Sequence, residues 1–304
     1  MRSVVITGSE GLIGHRLVEV LAQKGYQVSG VDLKNSTFSG GIEGDIRDAE
    51  LMDRLIHNAD GVIHLAAVSR VIDGQRNPEL CHDVNVNGTR KVLDAVVKGS
   101  KKPWIIYASS REVYGDADSL PVSETHPIMP INVYGHSKVA AENMVNDFSK
   151  EGGVACILRF ANVYGSTTRD HLTRVIPAFT RAAALGKVLH VEGSENTFDF
   201  TNLEDTVDGI QRVVDLIDQK KESLPPIHFL TGTPTTLGQL AAMAIKHGDT
   251  NARLLESPPR NYDVGRFYGS YERAKSLLGW EPKHSLEKTV IRMIKEWQAA
   301  EANQ

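Results

Sequence analysis

The chain has 304 residues, of which 41% are hydrophobic and 24% charged, and its formal net charge is -4. These fractions describe a globular protein with a full core and exclude wholesale disorder, while the mild acidity argues against a dedicated nucleic-acid binder. The two cysteines, Cys81 and Cys156, show no paired spacing, so neither a disulfide framework nor a metal site is expected. The N-terminal stretch moves directly into a strand pattern without signal-peptide architecture, and no apolar run reaches the length of a membrane span. A soluble, cytoplasmic protein of one large or two closely joined domains is expected.

In chain order, Val4-Val5-Ile6 reads as a strand, followed by Leu12, Ile13, Leu17, Val18 and Leu21 at helical spacing. Gly25 stops that helix, and Tyr26 to Asp32 reads as a second strand. Further strands are predicted at Gly61 to Leu65, Trp104 to Ala108 and Ala155 to Arg159, with helices at Asn85 to Lys98 and Lys138 to Lys150. The strands are continuous apolar runs rather than alternating ones, so the alternation of strand and helix implies a parallel sheet covered on both faces. From about Tyr164 the rhythm changes. Helices are predicted at Leu172 to Leu185, Thr236 to His247, Tyr271 to Leu278 and Leu286 to Ala300, forming a smaller lobe interleaved with returns to the main sheet.

Two constellations carry chemistry. The first is Gly8-Ser9-Glu10-Gly11-Leu12-Ile13-Gly14, directly after a strand and opening a helix. Glycines there allow a tight turn and let the backbone approach a pyrophosphate at the helix N-terminus. Asp32 ends the next strand, where an acid can bond the ribose hydroxyls of NAD and repel the 2′-phosphate of NADP. The second is Tyr134-Gly135-His136-Ser137-Lys138, with Ser109-Ser110 upstream. Tyr134 and Lys138 share a helix face, so the ammonium is expected to favour the phenolate and lower its pKa. Ser110 is placed to bond the same substrate oxygen. His64 reads as a packed strand residue and Trp280 as a core anchor of the smaller lobe.

With these residues in place, the sequence resembles the extended short-chain dehydrogenase/reductase superfamily, in its NAD-dependent epimerase/dehydratase branch acting on nucleotide sugars. The stretches that carry the resemblance are Thr7 to Gly14, Asp45-Ile46-Arg47-Asp48, His64-Leu65-Ala66-Ala67, Asn85 to Thr89, Ala108 to Gly115, Tyr134 to Lys138, Leu158 to Gly165 and Leu278 to Pro282. The resemblance implies a Rossmann-type, doubly wound α/β fold with a smaller, mainly helical C-terminal lobe. Residues 1–165 and 196–232 would form the NAD-binding domain, and residues 166–195 and 233–304 the substrate lobe.

By matching position, the resemblance implies that Gly8, Gly11 and Gly14 hold the pyrophosphate and Asp32 the adenosine ribose, with Leu12 and Ile13 also on the cofactor. Asp45 and Ile46 would flank the adenine, and Leu65, Ala66 and Ala67 would line the cofactor cleft. Tyr134 would transfer the proton, Lys138 would assist it and bind the nicotinamide ribose, and Ser110 would polarise the reacting C–O bond. Glu112 is a further catalytic candidate. Ser69, Arg70, Asn162, Arg169 and Arg260 are implied on the substrate side. The expected activity is C4 epimerisation of a UDP-sugar by a homodimer that pairs the Asn85 to Lys98 and Lys138 to Lys150 helices across a two-fold axis.

Two departures separate this chain from the family pattern. Asn196-Thr197-Phe198-Asp199-Phe200 places Phe198 where the family usually carries an arginine that grips the diphosphate. Arg70, Arg169, Arg174 and Arg260 are candidate replacements. Arg111 precedes Glu112 where the 4,6-dehydratases of the branch usually carry Asp-Glu, which weakens a dehydratase reading. A dehydratase or decarboxylase, a net NAD-dependent sugar dehydrogenase and an NAD-binding regulator are the alternatives.

Overall fold

The computed structural model describes residues 2–165 and 172–302. The first strand, β1 (Ser3–Thr7), is followed by α1 (Leu12–Gln23), β2 (Gln27–Asp32), β3 (Gly41–Glu43), α2 (Ala49–Ile56) and β4 (Gly61–His64). Next come the short helices α3 (Val71–Arg76) and α4 (Pro78–His82), a π-helical turn over Asp83–Gly88, α5 (Thr89–Lys98) and β5 (Trp104–Ser110). A 3-10 turn at Arg111–Tyr114 leads to α6 (Val133–Lys150), β6 (Ala155–Phe160) and β7 (Asn162–Tyr164). The remainder contains α7 (Val175–Ala184), β8 (Val188–Glu192), β9 (Thr197–Phe198), β10 (Phe200–Asn202), α8 (Leu203–Lys220) and β11 (Ile227–Phe229). It closes with β12 (Thr235–Thr236), α9 (Leu237–His247), β13 (Arg253–Ser257), α10 (Glu272–Leu278) and α11 (Leu286–Ala302).

Seven strands pair in the order β11-β6-β5-β4-β1-β2-β3, and every pairing in that sheet is parallel. The continuous apolar strands explain the layering. Val4, Ile6, Ile63 and Ile106 point into one core with Leu17 and Leu21 of α1 and Ile210, Val213 and Ile217 of α8. Their neighbours Val5, Val62 and Ile105 point into the opposite core with Met52 and Ile56 of α2, Val92 and Val96 of α5, and Ala141 and Val145 of α6. Side chains alternate across a strand, so only a strand apolar at every position can serve both layers. Each such buried Val or Ile contributes about 1.5–3 kcal/mol of hydrophobic stabilisation.

A third core joins Ile176 and Phe179 of α7, Leu240 and Ala244 of α9, and Met293 and Trp297 of α11. Trp280 does not belong to it. Its indole lies 4.9 Å from the Phe229 ring and donates to the Asp205 carbonyl at 2.9 Å, so it anchors the core of the main sheet. The reason is local: α10 packs against α8 and β11, and the turn at Gly279 delivers Trp280 beneath β11.

Helix boundaries differ from expectation where capping overrides periodicity. Asn132 accepts the Gly135 N–H at 2.8 Å, so α6 begins at Val133 rather than Lys138. The Asn85 to Lys98 helix divides at Thr89, preceded by the π-helical turn. The helix expected from Leu172 starts at Val175. The short strands β3, β7 to β10, β12 and β13 hold two to five residues each, too few for periodicity to reveal.

Two buried histidines make the fold acid-sensitive. His64 lies between Thr7 Oγ1 at 2.6 Å and Thr89 Oγ1 at 2.9 Å, and burial brings its pKa down to about 3. His228 meets the Tyr114 hydroxyl at 2.6 Å, and burial likewise lowers it to about 3. Between the free value of 6.5 and about 3 the unfolded chain binds protons that the folded chain refuses, so stability falls as pH drops through that window. Urea denaturation at pH 7 and pH 5 should show a loss of about 2 kcal/mol for each histidine. Replacing His228 with Gln should remove its share of the slope; an unchanged slope in that variant would show that His228 titrates normally.

Candidate active site

The sheet order reverses between β1 and β4, and in such sheets the crevice at the carboxyl ends of the strands is where ligands bind. A cleft of about 800 Å³ opens there. One end is made by the turn after β1. Gly8 has φ 72°, and a Cβ there would lie 2.8 Å from the Ala66 nitrogen. A Cβ at Gly14 would lie 2.1 Å from the Gly8 carbonyl oxygen, so a side chain at either position displaces backbone. Gly11 is the N-cap of α1 and has no side chain to satisfy the first N–H groups, which leaves them for an anion. Leu12 and Ile13 form the first turn, and both line the cleft.

Asp32, at the end of β2, accepts the backbone N–H groups of Glu10 at 3.0 Å and Lys34 at 3.1 Å. Asp45 is gripped by the Arg47 guanidinium, and those hydrogen bonds outweigh burial and hold its pKa below the usual carboxylate range. Ile46 lines the cleft beside it. After β4 the backbone is tied back to β1: Leu65 N–H donates to the Thr7 carbonyl at 3.1 Å and Ala66 N–H to Thr7 Oγ1 at 3.2 Å. Ala67 continues the same wall.

The second end is built on β5 and α6. Ser110 closes β5, and both it and Tyr134 in the first turn of α6 border the cleft. Lys138 lies one turn further and donates to the Ala108 carbonyl at 2.8 Å. Its nitrogen sits 5.0 Å from the Tyr107 ring and 5.7 Å from the Tyr134 ring. Burial brings its pKa down to about 8. The Tyr134 phenol, however, is not lowered as the helix spacing implied. Burial pushes it well up, and the opposing influences are the neighbouring Ser110 hydroxyl and the charge of Arg174. Desolvation of the phenolate wins because Tyr134 is only 8% exposed and Lys138 is turned onto a carbonyl.

Glu112 follows in the 3-10 turn, and both of its oxygens are engaged. Arg111 Nη2 lies 2.7 Å from Oε1, and Asn132 Nδ2 donates to Oε2 at 2.7 Å. Since Asn132 caps α6, this carboxylate braces the helix that carries Tyr134. Behind it Arg159 makes a buried pair with Glu142, donating from Nη2 at 2.7 Å and from Nε at 2.9 Å. Ser109 donates to the same carboxylate and joins the end of β5 to α6. Sequence reading missed Asn132, although an Asn just before a helical stretch is an N-cap signal.

On the far wall, Arg174 Nη2 donates to Ser69 Oγ at 3.3 Å, and Arg70 is paired with Asp73 at 3.4 Å. Arg260 donates to Asp263 at 2.7 Å, and Asn162 at the start of β7 also borders the cleft. Arg169 lies outside the described residues. The remaining sequence-selected residues therefore face one cavity. His190, Glu192 and Asp263 join them, unannounced by any sequence pattern.

The glycine cradle, the strand-end acid and the Ser-Tyr-Lys group define a Rossmann-type enzyme that takes a nicotinamide dinucleotide. A profile of the NAD dependent epimerase/dehydratase family matches residues 4–225, and the chain belongs to that family. It is 28% identical to the UDP-glucose 4-epimerase of Lactobacillus helveticus, with 97% of this chain and 96% of that one covered. The structure of UDP-glucose 4-epimerase from Thermotoga maritima with UDP-glucose is similar at a TM-score of 0.89 and 29% identity, covering 99% of this chain and all of that one. MoeE5 in complex with UDP-glucuronic acid and NAD is similar at a TM-score of 0.88 and 27% identity, covering 98% and 99%.

The site fits NAD, because the cradle at Gly8 and Gly14 leaves no room for a Cβ and Asp32 faces the cleft. A 2′-phosphate beside the Asp32 carboxylate meets charge repulsion. Titration by fluorescence should show NAD binding at least about tenfold more tightly than NADP, and Asp32→Asn should narrow that ratio. Equal affinities in the unaltered protein would remove Asp32 from the ribose.

Proposed function

We propose that this protein is an NAD-dependent nucleotide-sugar epimerase that inverts C4 of a UDP-sugar through a transient 4-keto sugar. The observation that carries the reading is the cleft in which the glycine cradle, Ser110, Tyr134 and Lys138 lie together. Gly8, Gly11 and Gly14 would hold the pyrophosphate of NAD, Asp32 the adenosine ribose and Lys138 the nicotinamide ribose. When bound, NAD supplies a hydride acceptor that is regenerated within each turnover.

Tyr134 takes the proton of the C4 hydroxyl as that carbon is oxidised, and it returns a proton to the same oxygen once the keto sugar has turned and C4 is reduced from its opposite face. Ser110 holds the same oxygen, and Arg174 favours the phenolate by its charge. Lys138 maintains positive charge behind the phenol while its nitrogen stays on the Ala108 carbonyl. Glu112 acts by bracing Asn132 and the start of α6, since both its oxygens already accept hydrogen bonds. That engagement and Arg111 beside it favour epimerisation over elimination of water, which needs a free acid pair.

Tyr134→Phe should lower kcat by at least about 100-fold while NAD and substrate affinities stay close to the unaltered values. Ser110→Ala should cost less, since it removes one hydrogen bond. With substrate deuterated at C4, the label should remain in the product. Its loss to solvent would sink the keto mechanism, and its appearance in released NADH would make the protein a dehydrogenase.

The same reading places the enzyme in the cytoplasm as a homodimer joined through α5 and α6. Val97 of α5 is 66% exposed, and Met144 and Phe148 of α6 are only partly covered by their own core. Light scattering at micromolar concentration should give twice the chain mass, and a monomer mass would remove the dimer.

A further inference from the structure

Arg111 is a buried cation with one donor unused. Its side chain is 8% exposed, and its Nη2 is held by Glu112 Oε1 at 2.7 Å. The guanidinium lies 4.7 Å from the centre of the Phe198 ring and 5.5 Å from that of Phe267. Nη1 is buried and has no hydrogen-bond partner among the described residues. The other buried arginine near the site shows how this chain treats a purely structural guanidinium. Arg159 donates from Nε and Nη2 to Glu142, and from Nη1 to the Tyr114 hydroxyl and the Glu124 carbonyl. At Arg111 the pairing stops short, and the residue borders the cleft next to Ser110.

We propose that Arg111 is a substrate-recognition residue whose Nη1 donates to an anionic oxygen of the bound sugar nucleotide. The assignment rests on the sugar-nucleotide reading above and specifies which ligand group the site selects. Three features give the chemistry. A guanidinium forks naturally onto a carboxylate or phosphate, so the edge left over by Glu112 is shaped for a second oxyanion. Glu112 engages its other oxygen with Asn132, so it offers Arg111 a single oxygen and leaves Nη1 without a partner among the described residues. Phe198 and Phe267 hold the guanidinium plane without competing for its donors, so little rotamer freedom is lost when ligand arrives. Two groups of a sugar nucleotide carry such oxygens: the diphosphate, or a carboxylate on the sugar of a uronic-acid substrate.

The test is calorimetric titration of the NAD-saturated protein with UDP, UDP-glucose and UDP-glucuronic acid. Arg111→Met removes the donor, and Arg111→Lys keeps a charge for Glu112 without the second fixed N–H. Both variants are expected to bind at least one anion-bearing ligand about tenfold or more weakly. Weakening that extends to UDP itself identifies the diphosphate as the source of the oxygen; weakening confined to UDP-glucuronic acid identifies the sugar carboxylate. Affinities for UDP and UDP-glucuronic acid within about twofold of the unaltered protein in both variants would overturn the proposal. So would a parallel loss of NAD binding and of the thermal midpoint in both, which marks a structural residue. Because the readout is binding, absence of epimerisation alone rejects the C4 reaction and leaves Arg111 to be judged on these affinities. An unaltered protein that binds none of the three ligands rejects both assignments together.

Discussion

The buried pair of Arg159 and Glu142 is the interaction on which the geometry of the cleft depends. Arg159 stands on β6, Glu142 on α6, and Ser109 of β5 donates to the same carboxylate. Three elements that are distant in sequence are thus fixed at one point, one residue from Ser110 and one helical turn from Lys138. The pair is affordable inside the protein because its hydrogen bonds are complete: Arg159 also reaches the Tyr114 hydroxyl and the Glu124 carbonyl. Removing one partner alone would leave an uncompensated charge, at a cost of about 3–5 kcal/mol. The register of Ser110 against Tyr134 would then have little to hold it.

A second layer of the same device lies nearer the cleft. Glu112 bonds Asn132, and Asn132 caps α6, so the helix start is set by a carboxylate from the turn after β5. The order of events along the chain therefore runs from strand end to 3-10 turn to helix cap to phenol. Each link uses a charged or amide group buried with its partners satisfied. Arg111 is the exception in this otherwise complete network, and its unused donor points to what arrives from outside the chain. The contrast between Arg111 and Arg159 separates a residue that binds from one that only supports.

The cleft joins two kinds of surface. The side proposed for the dinucleotide is mostly backbone: glycine turns, N–H groups at the start of α1 that no side chain caps, and the Thr7 ties that fix Leu65 and Ala66. The opposite wall carries charge, with Arg70, Arg174 and Arg260 set against Glu192 and Asp263. Rigid backbone suits a cofactor common to the family. Side chains on the wall, Arg111 and Phe198 among them, are free to vary with the substrate.

The sequence by itself determined the doubly wound sheet, because a strand packed on both faces must be apolar at every position and such runs are visible without coordinates. It also exposed the glycine turn and the strand-end acid that border the cleft, since Gly8, Gly14 and Asp32 are constrained locally, within one strand-turn-helix unit and the next strand. The Tyr134 and Lys138 pair was legible for the same reason, being one turn apart on a helix. What only the tertiary structure decided were relations between distant segments. These include the stacking of Arg111 on Phe198 and Phe267, the bracing of Asn132 by Glu112, and the placing of Trp280 under the main sheet. The direction of the Tyr134 shift belongs with them, because helix spacing reports the nearby ammonium but not the burial that outweighs it. Spacing along the chain fixes neighbours within an element, whereas desolvation and pairing are set by whichever residues the packed fold brings from elsewhere.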